Sequence, residues 1–176
     1  VGPIAYAPPR ADALAAQLAA ILRDAAIPLA SAPHAAFNHT VWMGLVHMFP
    51  RADIPVVEMA MPFLPPRRLF ALGRTLARLA ADDILIVSSG SLTHNLASLF
   101  VDSTPRWASD FDQWIAEALA RSDVDAVLDW RTKAPAAALA HPDDGAHFNV
   151  LLYALGAAVE ASNRVRAISA NSGFEF

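Results

Sequence analysis

Six histidines and no cysteine occur in this chain of 176 residues. His39, His94 and His147 share a context. Each stands where a loop enters a helix, flanked by small or polar residues and not by a run of charge. Neutral imidazole is the commonest protein ligand for metals such as iron and zinc, and it titrates near neutral pH. Three such side chains converging on one face of an α/β sheet can supply metal ligands and a general base. Each one singly has a plainer reading, a ring that bonds the backbone at a helix start, and the recurrence at three junctions weakens it. The other three read differently. His47 is mid-helix, and structural or exposed. His34, between Pro33 and Ala35, is loop surface. His141, in a His-Pro pair, is a turn residue within reach of the site mouth.

Other chemistries fail on composition or spacing. Without cysteine there are no disulfides, thiolate nucleophiles or Cys-type zinc sites, so a metal must be held by His, Asp, Glu or water. No phosphate-binding Gly-x-x-x-x-Gly-Lys-Ser/Thr and no His-Glu-x-x-His is present. Ser88-Ser89-Gly90-Ser91 lacks the Gly-x-Ser-x-Gly elbow of esterases, although a serine hydrolase built on Ser89 or Ser91 with His94 stays formally open. The net charge of −4 and the lack of a basic block argue against nucleic acid or an anionic membrane as partner. No apolar run approaches the roughly 20 residues that span a bilayer. No signal peptide is visible, so the cytoplasm is the default compartment.

The elements that must position these histidines are legible in outline. Ile84-Leu85-Ile86-Val87 reads as a strand buried on both faces, and Ser88 to Ser91 as the turn at its carboxyl end. Sites in open α/β sheets form at such carboxyl ends, which is where His94 is delivered. Residues 54–60 read as an earlier strand. With the helix marked by Leu69, Leu72, Leu76 and Leu79, they complete a βαβ pattern. Leu14, Leu18, Ile21 and Leu22 mark an amphipathic helix with Asp12 as its N-cap. A second helix runs from Val41 to Phe49 and ends at Pro50. Trp107, Phe111, Trp114, Ile115 and Leu119 mark a helix with an aromatic face, of a kind that serves as core or subunit contact. Val124 to Trp130 forms a short helix. After the polar loop 141–147, capped by Asp144 or Gly145, an almost wholly apolar helix runs from Phe148 to Ala158 and must be buried. Residues 164–168 and the last few residues read as strands. The expected fold is α/β, a single domain over 1–176 with an open, mostly parallel central sheet flanked by helices.

Several runs together resemble the class III extradiol ring-cleaving dioxygenases, in the DOPA 4,5-dioxygenase-like branch. They are Asn38-His39-Thr40-Val41-Trp42, Met48-Phe49-Pro50-Arg51-Ala52-Asp53-Ile54-Pro55-Val56-Val57, Leu72-Gly73-Arg74, Ile86 through Leu96, Trp107-Ala108-Ser109-Asp110-Phe111-Asp112, and His141-Pro142 through His147 with Leu151 to Ala158 behind. Their order and spacing hold over most of residues 1–160. The resemblance implies a non-haem metal, Fe(II) or alternatively Zn(II), and insertion of both atoms of O2 into a small aromatic diol beside its hydroxyls. It implies His39 as catalytic acid/base toward the substrate hydroxyl and the bound oxygen, and His94 and His147 as metal-site residues. This sequence departs from the family at three places. Asn38-His39-Thr40 stands where the family usually has Asp-His-Gly. Asp143 to His147 carries one residue more than Thr-Pro-Glu-His. A His-Gly-Ser-Pro motif and a second histidine, both part of the family's metal site, belong to an amino-terminal segment absent ahead of Val1, so upstream sequence is expected.

The reading is therefore an extradiol dioxygenase, completed by that segment or by a complementary subunit, with homo-oligomerisation as the expectation for an apolar, aromatic-rich surface. Its rival is a non-catalytic or incomplete paralogue acting as a binding or subunit-interface protein. A metal-dependent hydrolase using the same histidines is a third reading.

Overall fold

A computed structural model describes residues 6–28, 30, 37–99 and 103–162. His34, the strand expected at 164–168 and the closing strand lie outside the described residues. The chain divides into two compact units, Val1–Met61 and Pro62–Phe176.

The first unit holds α1 (Asp12–Asp24) and α2 (His39–Met48). The apolar spacing of α1 buries Ile21 and Leu22. Asp12 is not its cap. Ala11 holds that position, and Asp12 is the first helical residue, 2.9 Å from the Arg10 guanidinium. A carboxylate there still complements the positive end of the helix. α2 starts two residues earlier than its apolar pattern suggested. Asn38 makes the difference, because its Oδ1 accepts the Thr40 N–H at 3.1 Å and satisfies an otherwise orphaned donor. The expected strand at 54–60 is reduced to one isolated parallel bridge, Arg10 to Val56.

The second unit holds α3 (Pro66–Leu76), a 3-10 segment (Ala77–Asp82), α4 (Arg106–Ala120), α5 (Val124–Leu128), α6 (Trp130–Lys133), α7 (Ala137–Ala140) and α8 (Ala146–Ser162). Pro65 and Pro66 open α3, as proline without an N–H can. α3 lies along α8, and Leu69, Leu72, Leu76, Leu152 and Leu155 are buried. The two backbones approach closely because Gly73 and Gly156 sit at the contact. A Cβ on Gly73 would collide with the Tyr153 carbonyl, and one on Gly156 with the Phe70 carbonyl. α4 buries Phe111 and Ile115 against this core, and Trp130 and Phe148 join Phe111 edge-on.

The expected parallel sheet is not present among the described residues, which are helix-rich. Ile84 to Val87 forms no strand ladder there. Its side chains alternate, with Ile84 and Ile86 half-buried and Leu85 and Val87 exposed, so the segment is not buried on both faces as its composition suggested. No described helix is long and apolar enough to cross a membrane.

Candidate active site

Two stretches of the second unit, 91–95 and 139–147, are laced together. The Ser91 N–H donates to the His147 carbonyl at 3.1 Å, and the His94 N–H to the Ala140 carbonyl at 2.8 Å. The Asn95 amide donates to the Leu139 carbonyl at 2.9 Å, while its Oδ1 caps the short turn Leu96–Ser98. The ring of His141 reaches back to the Leu92 carbonyl at 2.7 Å. Gly90 permits this closeness, since any Cβ there would meet the His147 carbonyl and the Val150 side chain.

The lacing brings His94 and His147 together. Their rings are stacked, with centroids 3.8 Å apart and planes 19° from parallel. His94 Nδ1 lies 3.0 Å from Asp143 Oδ2. The other Asp143 oxygen accepts the Gly145 N–H at 2.8 Å, and Asp144 accepts the Ala146 N–H at 2.9 Å. Both acidic residues therefore shape the entry to α8. Gly145 stands just before it with φ +76, a conformation that side chains disfavour, and a Cβ there would also strike the Trp130 ring. Arg131 lies over the Trp130 ring, 4.6 Å from its centroid, and donates to the carbonyls of both His141 and Asp143.

His141 is not at the mouth of the site. It is fully buried, boxed by Trp130, Phe148 and Phe111 with ring centroids 5.1, 5.7 and 5.8 Å away. Its Nε2 faces a carbonyl, so the neutral ring carries its proton there and donates it. Burial pushes its pKa below the ordinary histidine value, and the Leu92 hydrogen bond only partly offsets this. Nδ1 is left buried without a hydrogen-bond partner, 3.8 Å from Asp143 Oδ1. For Asp143, burial pushes upward, but the Gly145 N–H and the two neighbouring histidines prevail, and its carboxyl sits below the usual range.

His39 belongs to the first unit, where it is exposed at the first position of α2. Its neighbour Asn38 is committed elsewhere. The amide oxygen caps the helix, and the backbone N–H donates to Glu58 Oε2 at 2.9 Å. His47 is exposed on α2. The residues that sequence reasoning missed are Asp143 as the partner of His94, and Arg131. For Asp143 the only local signal was a carboxylate in the same loop as two histidines. For Arg131 there was none.

Two imidazoles and a carboxylate are a donor set suited to non-haem iron or zinc. Their arrangement does not fit one. Among the described residues no three His, Asp or Glu side chains surround a common point. Two imidazoles sharing a metal at ~2.1 Å, with centroids as close as these, would have to aim their in-plane lone pairs at one another by roughly 70°. Planes only 19° from parallel aim them side by side.

The family described as "Catalytic LigB subunit of aromatic ring-opening dioxygenase" matches residues 3–174. A Beta vulgaris protein named 4,5-DOPA dioxygenase extradiol is 39% identical over 128 residues, 71% of this chain and 47% of that protein. One of the same name from Escherichia coli K12 is 36% identical over 115 residues, 62% of this chain and 42% of that protein. A crystal structure of an uncharacterized Escherichia coli K12 protein superposes with a TM-score of 0.76 at 31% identity, covering 89% of this chain and 66% of that one. The chain spans about half the length of these curated relatives.

Proposed function

The chain belongs to the class III extradiol dioxygenase family, in its DOPA dioxygenase-like branch, and on that premise we propose that it acts in the extradiol cleavage of a small aromatic diol by O2. In this reaction the ring bond beside the diol breaks and both oxygen atoms enter the product, so no further reductant is needed. The substrate carries two adjacent ring hydroxyls, as the DOPA in the relatives' names does. The observation that carries the proposal is the meeting of His94 and His147, 53 positions apart in sequence, ring on ring inside the matched family segment.

His39 is the proposed acid/base. An exposed imidazole at a helix start can take the proton that a catechol hydroxyl loses on activation and return it later. His94 and His147 are the proposed metal-site residues by donor type. The metal, Fe(II) or alternatively Zn(II), would supply a shared binding point for diol and oxygen. The stacked rings do not themselves form that point, so at least one must turn, and further donors must come from outside the described residues or from a complementary subunit. The chain's own contribution is the laced frame that holds both rings at one place.

The test is oxygen uptake by the protein given Fe(II) and a panel of catechols, with the ring-opened product identified by mass. Uptake of one O2 per diol consumed supports the proposal. Absence of uptake across the panel, with the fold intact, favours the second reading, a non-catalytic paralogue that binds a partner. The near-parallel stacking of the His94 and His147 rings, which aims their lone pairs side by side, is the observation on that side.

A further inference from the structure

We propose that Asp143 is a positioning residue for His94, holding its proton on Nδ1 so that Nε2 is the nitrogen that keeps its lone pair. The inference deepens the reading above, because it names which nitrogen of His94 does the work and what keeps it so.

The geometry begins with the 3.0 Å contact between His94 Nδ1 and Asp143 Oδ2. An ionised carboxylate only accepts hydrogen bonds, so the imidazole nitrogen facing it must be the one that carries hydrogen. In a neutral ring the other nitrogen is then bare. A histidine that binds a metal or accepts a proton through one nitrogen commonly donates its other N–H to a carboxylate, which fixes both tautomer and ring orientation.

Asp143 is itself held. Its Oδ1 accepts the Gly145 N–H at 2.8 Å, which fixes the carboxylate plane. Its backbone carbonyl takes a hydrogen bond from Arg131, whose guanidinium rests on Trp130 and also grips the His141 carbonyl. The His94 backbone is tied at the same time, through its N–H to the Ala140 carbonyl at 2.8 Å. Donor and acceptor thus hang on two stretches already joined by other bonds, and the His94–Asp143 contact costs little extra ordering. His147 stacks on the face of the His94 ring, so that contact does not engage the in-plane nitrogens.

His141 supplies an internal control. Its Nε2 faces the Leu92 carbonyl, so it must hold the opposite tautomer, with the proton on Nε2. In their neutral forms the two rings therefore hold opposite tautomers, each set by a different partner.

The experiment is two-bond proton–nitrogen NMR of the ring-labelled protein with no metal added, at a pH where its histidines are neutral. The wild type, Asp143→Ala and Asp143→Asn are compared. His94 in the wild type is expected as the Nδ1–H form and His141 as the Nε2–H form. In Asp143→Ala the His94 ratio of Nδ1–H to Nε2–H falls by roughly tenfold or more, as loss of a charge-assisted hydrogen bond implies. Asp143→Asn, which keeps an acceptor oxygen, restores most of that ratio. A wild-type His94 protonated on Nε2 overturns the proposal. So does an unchanged His94 ratio in Asp143→Ala while the His141 signal is preserved. Should Asp143→Ala disturb His141 as well, the wild-type assignment decides alone. Because neither metal nor turnover enters this readout, it stands whether or not oxygen uptake is found, and a failure of either reading is seen separately.

Discussion

The imidazoles of His94 and His147 lie face to face, 3.8 Å between centroids, although one follows a Ser-Gly-Ser turn and the other opens a long helix. Each ring is held by its own backbone: His94 through the Ala140 carbonyl, His147 through the Ser91 N–H. Substituting either ring by alanine removes a proposed metal-site donor without touching those backbone bonds. Oxygen uptake with a catechol substrate is expected to fall to background in both variants, with unchanged circular dichroism. Retention of full uptake in either one removes that residue from the site.

His39→Ala is expected to behave differently. Loss of a general acid/base lowers turnover by about 10²–10⁴-fold while metal content stays at the wild-type level. Stability should be almost unchanged, since the side chain is exposed and Asn38 still caps α2. Metal analysis beside kcat checks both halves.

His141→Ala is expected to cost about 2–5 kcal/mol in urea unfolding. It opens a cavity among Phe111, Trp130 and Phe148 and leaves the Leu92 carbonyl without its donor. A cost below about 0.5 kcal/mol would contradict the buried, bonded role assigned to this ring.

The same residue predicts a pH dependence. Burial depresses the folded pKa of His141. Below the unfolded value of about 6.5 the unfolded chain binds the proton first, so stability declines as pH falls from there until the folded pKa is reached. Asp143, also depressed when folded, adds a second decline that begins only in the carboxylate range and runs down through its folded pKa. In His141→Gln, which can still donate to Leu92 but does not titrate, the first decline should flatten and the second persist. Urea midpoints between about pH 8 and pH 3 measure both.

Gly73→Ala and Gly156→Ala should each destabilise by about 1–3 kcal/mol or more, because the added methyl meets backbone and no flexible side chain can yield. Gly44→Ala, on α2 with open space around it, is the contrasting case and should be neutral or slightly stabilising. Thermal unfolding of the three variants makes the comparison.

The sequence was most informative where the signal is local. Apolar spacing located α1, α3, α4 and α8, and the residue types at loop-to-helix junctions singled out His94 and His147 before their contact was known. It misled where burial is decided from afar. His141 sits in a polar His-Pro-Asp-Asp-Gly loop and reads as a turn residue near the site mouth, yet Phe111, Trp130 and Phe148, each distant or separated by a turn, close around it. Ile84 to Val87 has the composition of an interior strand, but a ladder depends on neighbours that composition cannot supply, and none pairs with it among the described residues. Arg131 was invisible because a lone surface arginine in a short helix looks like any other until the carbonyls it grips are seen.

That grip has a consequence for anyone transplanting the motif. The segment from His141 to His147 owes its shape to residues outside it: the guanidinium of Arg131, the indole of Trp130 beside Gly145 and the carbonyl of Leu92. Grafted alone onto another scaffold, the heptapeptide would carry its side chains but not their directions. Its instructions are written in the surrounding frame, so the smallest portable unit is the loop together with residues 91–95 and the Trp130-Arg131 pair.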